Sequence, residues 1–109
     1  MSVCEADRID FVATRADSPV VKLVISDHLD WAECGEHCLL LQEKLNTYIA
    51  FIESGELYTL EKPPIPADPV VVISIAALHE PSAQGQKFLR RAADVLGSIG
   101  VALEVESRT

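Results

Sequence analysis

"VVVISIAAL", residues 70–78, decides the fold. Valine and isoleucine fill most of it, and β-branched side chains fit the pleated surface of a sheet. Val71, Ile73 and Ile75 fall on one face, Val70, Val72 and Ala76 on the other. A strand apolar on both faces belongs in the middle of a sheet. The run is therefore read as a central strand, and the rest of the chain is placed around it.

Downstream, "HEPS" (79–82) breaks the strand and offers Ser82 as a helix N-cap. The spacing of Phe88, Leu89, Ala92, Val95 and Leu96 predicts an apolar helix face, ended by Gly97 or Gly100. "VALEVE" (101–106) alternates, with Val101, Leu103 and Val105 inward and Glu104 and Glu106 outward. Upstream, "GELYTLEKPPIPADP" (55–69) carries four prolines and cannot be a regular helix. Leu57, Tyr58 and Leu60 within it are candidates to lie against the core or to add a short edge strand.

Before that connection lie two strands and a helix. "IDFVAT" (9–14) and "VVKLVISD" (20–27) flank the turn-rich "RADSP", the pattern of an antiparallel hairpin. Asp30 is read as the next N-cap, with Glu33 completing an Asp-x-x-Glu capping box. Gly35 weakens the first turn by about 1 kcal/mol relative to alanine, which moves the firm start toward Glu36. Cys38, Leu41, Leu45, Tyr48, Ile49 and Ile52 form the stripe that faces the core. Leu40, Lys44 and Phe51 flank it, Gln42, Glu43, Asn46 and Glu53 are wet, and Gly55 supplies the stop.

The order is β-β-α-β-α-β. It predicts an α+β two-layer sandwich, a mainly antiparallel sheet with two helices packed on one face. The last strand–helix–strand unit should be a right-handed crossover between parallel strands. A chain of 109 residues fits a single domain (1–109), with residues 55–69 as an irregular, proline-rich connection. The other sheet face, with Val20, Val24, Val70 and Val72, is apolar and wants a cover. The proline-rich segment or a second copy of the chain could supply it.

Composition excludes several functions. Net charge is −8, from 17 acidic and 9 basic residues, and the one dense basic stretch is "KFLRR" (87–91). Nucleic acid and anionic membranes both demand concentrated Lys and Arg, so neither is an expected partner. No apolar run approaches the roughly 20 residues of a membrane span. The start, "MSVCEADRID", lacks the features of a secretory signal, so a cytoplasmic location is expected. Cys4, Cys34 and Cys38 are an odd set, which suggests reduced thiols.

The densest chemistry lies in "VISDHLDWAECGEHC", residues 24–38. Cys34, His37 and Cys38 are candidate zinc ligands, but their spacing matches no common zinc motif and no second ligand pair exists. The two cysteines also extend the apolar stripe, where a free thiol behaves as a small hydrophobe. Asp27, His28, Asp30 and His37 are candidate catalytic residues at a strand end, where connections often carry function. Each also has a local reading: Asp27 as an Asx turn, Asp30 as a cap, His28 on a backbone group. Trp31 reads as a staple on the helix start, or, if exposed, as a binding anchor. Glu53 and Glu56 are candidate binding residues on an acidic face, while His79 and Glu80 read as a turn. No phosphate loop, nucleophile elbow or His-Glu-x-x-His motif is present, and no cofactor is expected.

"ISDHLDW" (25–31), followed by "EHCLLLQEKLNTYIAFIESGE" (36–56), resembles a family of small bacterial proteins of unknown function. The likeness covers about a third of the chain closely. It implies a bacterial, single-domain, cytoplasmic protein and supplies no activity. Carried over by position, the shared block is Asp27, His28, Asp30, Trp31, His37, Gln42, Glu43 and Lys44. Cys38 stands where that pattern has leucine. The leading expectation is a non-enzymatic protein-interaction or regulatory module with a protein partner or a second copy. The alternative is a small-molecule-binding or metal-dependent enzyme centred on Asp27, His28, Asp30 and His37, or a ligand sensor with a cavity under residues 57–69.

Overall fold

A computed structural model of the chain describes residues 9, 11–15, 17–32, 34–59, 65–66 and 68–107. Its elements are β1 (Phe11–Thr14), β2 (Val20–Asp27), α1 (Cys34–Glu53), a 3-10 turn (Glu56–Thr59), β3 (Val70–Ala77), α2 (Ala83–Gly97) and β4 (Ala102–Ser107). The four strands form one sheet in the order β1-β2-β3-β4. The apolar run that opened the sequence reading is thus an inner strand, paired on both sides.

The architecture is α+β, as the periodicities predicted, but the sheet is mixed. Only β1 and β2 pair antiparallel, while β2–β3 and β3–β4 are parallel. The expectation of a mainly antiparallel sheet is corrected here, and the cause is length. The 20 residues of α1 span about 30 Å, and the eight of β2 about 26 Å. The helix therefore carries the chain back to the starting end of β2. Gly55, at φ 83°, turns it there, and Val70 N donates to Pro19 O at 2.9 Å, so β3 starts beside the start of β2. Each strand–helix–strand unit steps the same way across the sheet, and the right-handed rule then puts both helices on one face.

Alternation along the strands sorts the side chains. Val21, Leu23 and Ile25 of β2 and Val71, Ile73 and Ile75 of β3 point under the helices into one core cluster. Leu41, Leu45 and Tyr48 of α1 and Leu89 and Leu96 of α2 close that cluster from above. Leu57 joins it from the 3-10 turn, which replaces the edge strand considered for this segment, and Tyr58 beside it is exposed. Val95, assigned to the apolar face of α2, is instead 60% exposed. Ser82 does cap α2, accepting from Gly85 N.

Lys44, expected on the flank of α1, is fully buried, with its ammonium 5.8 Å from the centre of the Tyr48 ring. Tyr48 in turn donates its hydroxyl to Val24 O at 2.6 Å, where the pairing of β2 with β1 ends. Tyr48→Phe keeps the ring and leaves that carbonyl without this donor. The expected loss is about 1–2 kcal/mol in urea unfolding with an unchanged m-value.

Candidate functional site

β2 and β3 end side by side, with Asp27 in register with Ala77. Both helices begin at this edge of the sheet. Carboxyl ends of parallel strands are where open sheets with helical crossovers place their ligands. Asp27, His28, Asp30, Trp31 and His37 gather here.

Asp27 continues the inward alternation of β2, so its carboxylate lies under α1 and not on the outer face. His37, in the first turn of α1, comes down onto it. His37 Nε2 shares a hydrogen bond with Asp27 Oδ2 at 2.6 Å and lies 2.8 Å from Oδ1. His37 Nδ1–H donates to the carbonyl oxygen of Asp30 at 2.9 Å. The two side chains are only 1–2% exposed. A buried carboxylate demands such partners. Asp27 Oδ1 also accepts from Leu29 N at 3.2 Å, the Asx turn expected at the strand end. Asp30 Oδ1 accepts from Ala32 N at 3.1 Å and so caps the turn before α1, which begins at Cys34.

Trp31 seals the pair. Its ring stacks on His37 with centroids 3.7 Å apart, and its Nε1–H reaches His79 O at 3.4 Å. The six-membered ring of the indole lies against Gly85 in the first turn of α2. A Cβ at Gly85 would fall 2.5 Å from the ring, so this close approach requires glycine. One half-buried tryptophan thus ties the β2–α1 connection to the β3–α2 connection.

Beside the pair lies a cleft of about 410 Å³ lined by His28, Asp30, Glu36, His37 and His79, among others. A smaller cleft of about 250 Å³ adjoins it at His28, Ala76 and Leu78. Asp27, His28, Asp30 and His37 are therefore brought to one place, but in different states. A general base or a metal ligand needs a nitrogen lone pair aimed at the reacting atom. Both nitrogens of His37 face oxygens of the chain itself. His28 is exposed and His79 half-buried, and neither imidazole has a hydrogen-bond partner among the described residues. His79 and Glu36 were not singled out by the sequence, because nothing local links them to Asp27.

Other candidates lie apart. Glu53 and Glu56 are exposed at the opposite end of α1, about 30 Å from Trp31, so they share no surface with it. Cys38 is half-buried on α1. Cys4, Glu33 and Leu60 lie outside the described residues, as does the side chain of Cys34. Among the described residues, no three His, Cys, Asp or Glu side chains are arranged to hold a metal ion. Among them also, no helix is long and apolar enough to cross a membrane. Of the segment under which a sensor would hold its ligand, residues 60–64 and 67 lie outside the described residues, and Leu57 is buried in the core.

A family model described as a family of unknown function, DUF6572, matches residues 1–109, and the chain belongs to that family. Searches among curated proteins and among solved structures return no match.

The geometry makes Asp27 and His37 one unit. Asp27→Ala or His37→Ala alone leaves the other group buried without its partner, an expected loss of about 3–5 kcal/mol. The double variant is expected to fall short of the summed losses by about 0.5–3 kcal/mol. A double-mutant cycle in urea reads this directly, and strict additivity would mean that the pair is not coupled.

Proposed function

We propose that this member of the DUF6572 family is a non-enzymatic protein-interaction module that receives its partner on the open face of the sheet. One observation carries the reading. Phe11 is 59% and Val70 50% exposed, and Val20, Val24 and Val72 beside them lie outside the core cluster. An apolar strip of this kind, rimmed by polar groups, is a common mark of an interaction surface.

The strip has a polar centre. Lys22 Nζ bonds Glu104 Oε2 at 3.1 Å across β3, and Ser74 Oγ donates to the same oxygen at 3.4 Å. A charged pair held inside an apolar surface fixes the register of whatever covers it. The net charge of −8 favours a partner of basic character. A bacterial, cytoplasmic regulatory role accords with this, and an odd count of three cysteines suits a reducing compartment. The closed Asp27–His37 pair supports the non-enzymatic part of the reading.

The unpartnered imidazoles of His28 and His79 favour a second reading, in which the adjoining cleft takes a small polar ligand. His28→Ala and His79→Ala are expected to leave folding intact and to remove ligand-induced shifts of the imidazole resonances in a metabolite screen by NMR. A screen in which neither ring responds ends this reading.

The interaction module is tested by a photo-crosslinking residue placed at Phe11 or Val70, with Ala50 on the outward side of α1 as control. In cells of the source organism, one protein adduct common to positions 11 and 70 and absent at 50 is expected. Adducts from neither sheet position would overturn the reading.

A further inference from the structure

The outer surface of the helix layer has its own pattern. Helices that face solvent normally intersperse opposite charges at four-residue spacing. Here the signs are segregated. The exposed charges of α1 are Glu36, Glu43 and Glu53, with no exposed Lys or Arg, since Lys44 is buried. The exposed charges of α2 are Lys87, Arg90 and Arg91, with Asp94 the one acid. None of these side chains forms an ion pair among the described residues.

Between the two ridges runs an apolar groove of about 360 Å³, lined by Leu45, Ile49, Phe88, Ala92 and Val95. Val95 stands 60% exposed on its rim. Gln42 to Ile49 form one wall and Phe88 to Leu96 the other. Gln42, the neighbour of Glu43, and Arg91, one turn on from Lys87, line this same groove.

We propose that this helix layer is a self-interface, in which a second copy of the chain docks over the groove with the acidic ridge of each α1 facing the basic ridge of the other's α2. A two-fold axis along the groove preserves height, so Glu43 of each copy meets Lys87 and Arg91 of the other. Val95 of each copy enters the other's apolar groove. An axis across the groove would stack α1 on α1, acid on acid, and is disfavoured by charge. This charge complementarity selects the second copy over an unrelated partner. The assembly leaves both open sheet faces outward, so it neither uses nor blocks the surface proposed above.

Sedimentation velocity of the purified full chain, over a wide range of concentration, tests the proposal. A species of twice the chain mass is expected. Val95→Asp changes an exposed side chain and is expected to give a monomer with unaltered circular dichroism and unfolding. Glu43→Lys is expected to weaken the dimer at least about tenfold, as is Lys87→Glu combined with Arg91→Glu. Joining all three substitutions is expected to restore it. A monomer at every concentration overturns the proposal, as does a dimer indifferent to Val95→Asp. Failure of the charge swap to restore assembly also overturns it. The experiment uses this chain alone, so its outcome is separate from that of crosslinking on the sheet.

Discussion

The rest of the molecule is organised around one buried contact, the carboxylate of Asp27 under the imidazole of His37. Asp27 is the last inward position of β2, so strand alternation places a carboxyl group at the end of the buried row of Val21, Leu23 and Ile25. The site would be unfavourable if solitary. His37 answers it only if α1 sits directly above the end of β2. Trp31 stacks on that histidine and meets Gly85, which sets where α2 begins. A pair of apolar residues could give equal or greater stability at such a place. What the polar pair adds is direction, because 2.6 and 2.9 Å bonds tolerate less sliding of the helix than apolar contact does.

How legible this was depends on the length scale of each cause. Local causes were read well. β2 spans Val20–Asp27 and α2 is capped at Ser82 because alternation and side-chain capping act within a few residues. Gly55 stops α1 for the same kind of reason. The parallel pairing of β2 with β3 was missed because it depends on where a 15-residue irregular connection returns the chain. His37, Leu41, Lys44 and Tyr48 follow a four, three, four spacing and are all buried. That spacing was available in the sequence. The identity of Lys44 hid it, since lysine is rarely buried and was assigned to a flank. Val95 erred the other way: it keeps the period of α2, but the separation of the helices leaves it on the rim of a groove.

The candidate site was half legible. Asp27, Asp30, Trp31 and His37 do come together, as a block of polar residues at a strand end suggested. What the sequence could not carry is the state of each group. Two residue types that read as catalytic, a histidine and an aspartate, are here fully engaged with each other and with the backbone. His79 belongs to the same edge only because β3 lies beside β2, a tertiary fact with no local trace.

A fold closed in this way moves the question of function from its densest chemistry to its unmet surfaces. Much of the stretch from Asp27 to Lys44 serves the assembly of the two layers: a paired acid, a stacked indole, a buried lysine against tyrosine. Two further surfaces stay open, on opposite sides of the molecule. The sheet keeps an apolar strip with one ion pair at its centre, and the helices keep separated charges along an apolar groove. Both layers are thin, so each element has one side in the core and one side free. A two-layer domain of this size can therefore hold two independent contacts without rearranging its core, and the rigid pair beneath α1 keeps those two faces in a fixed relation.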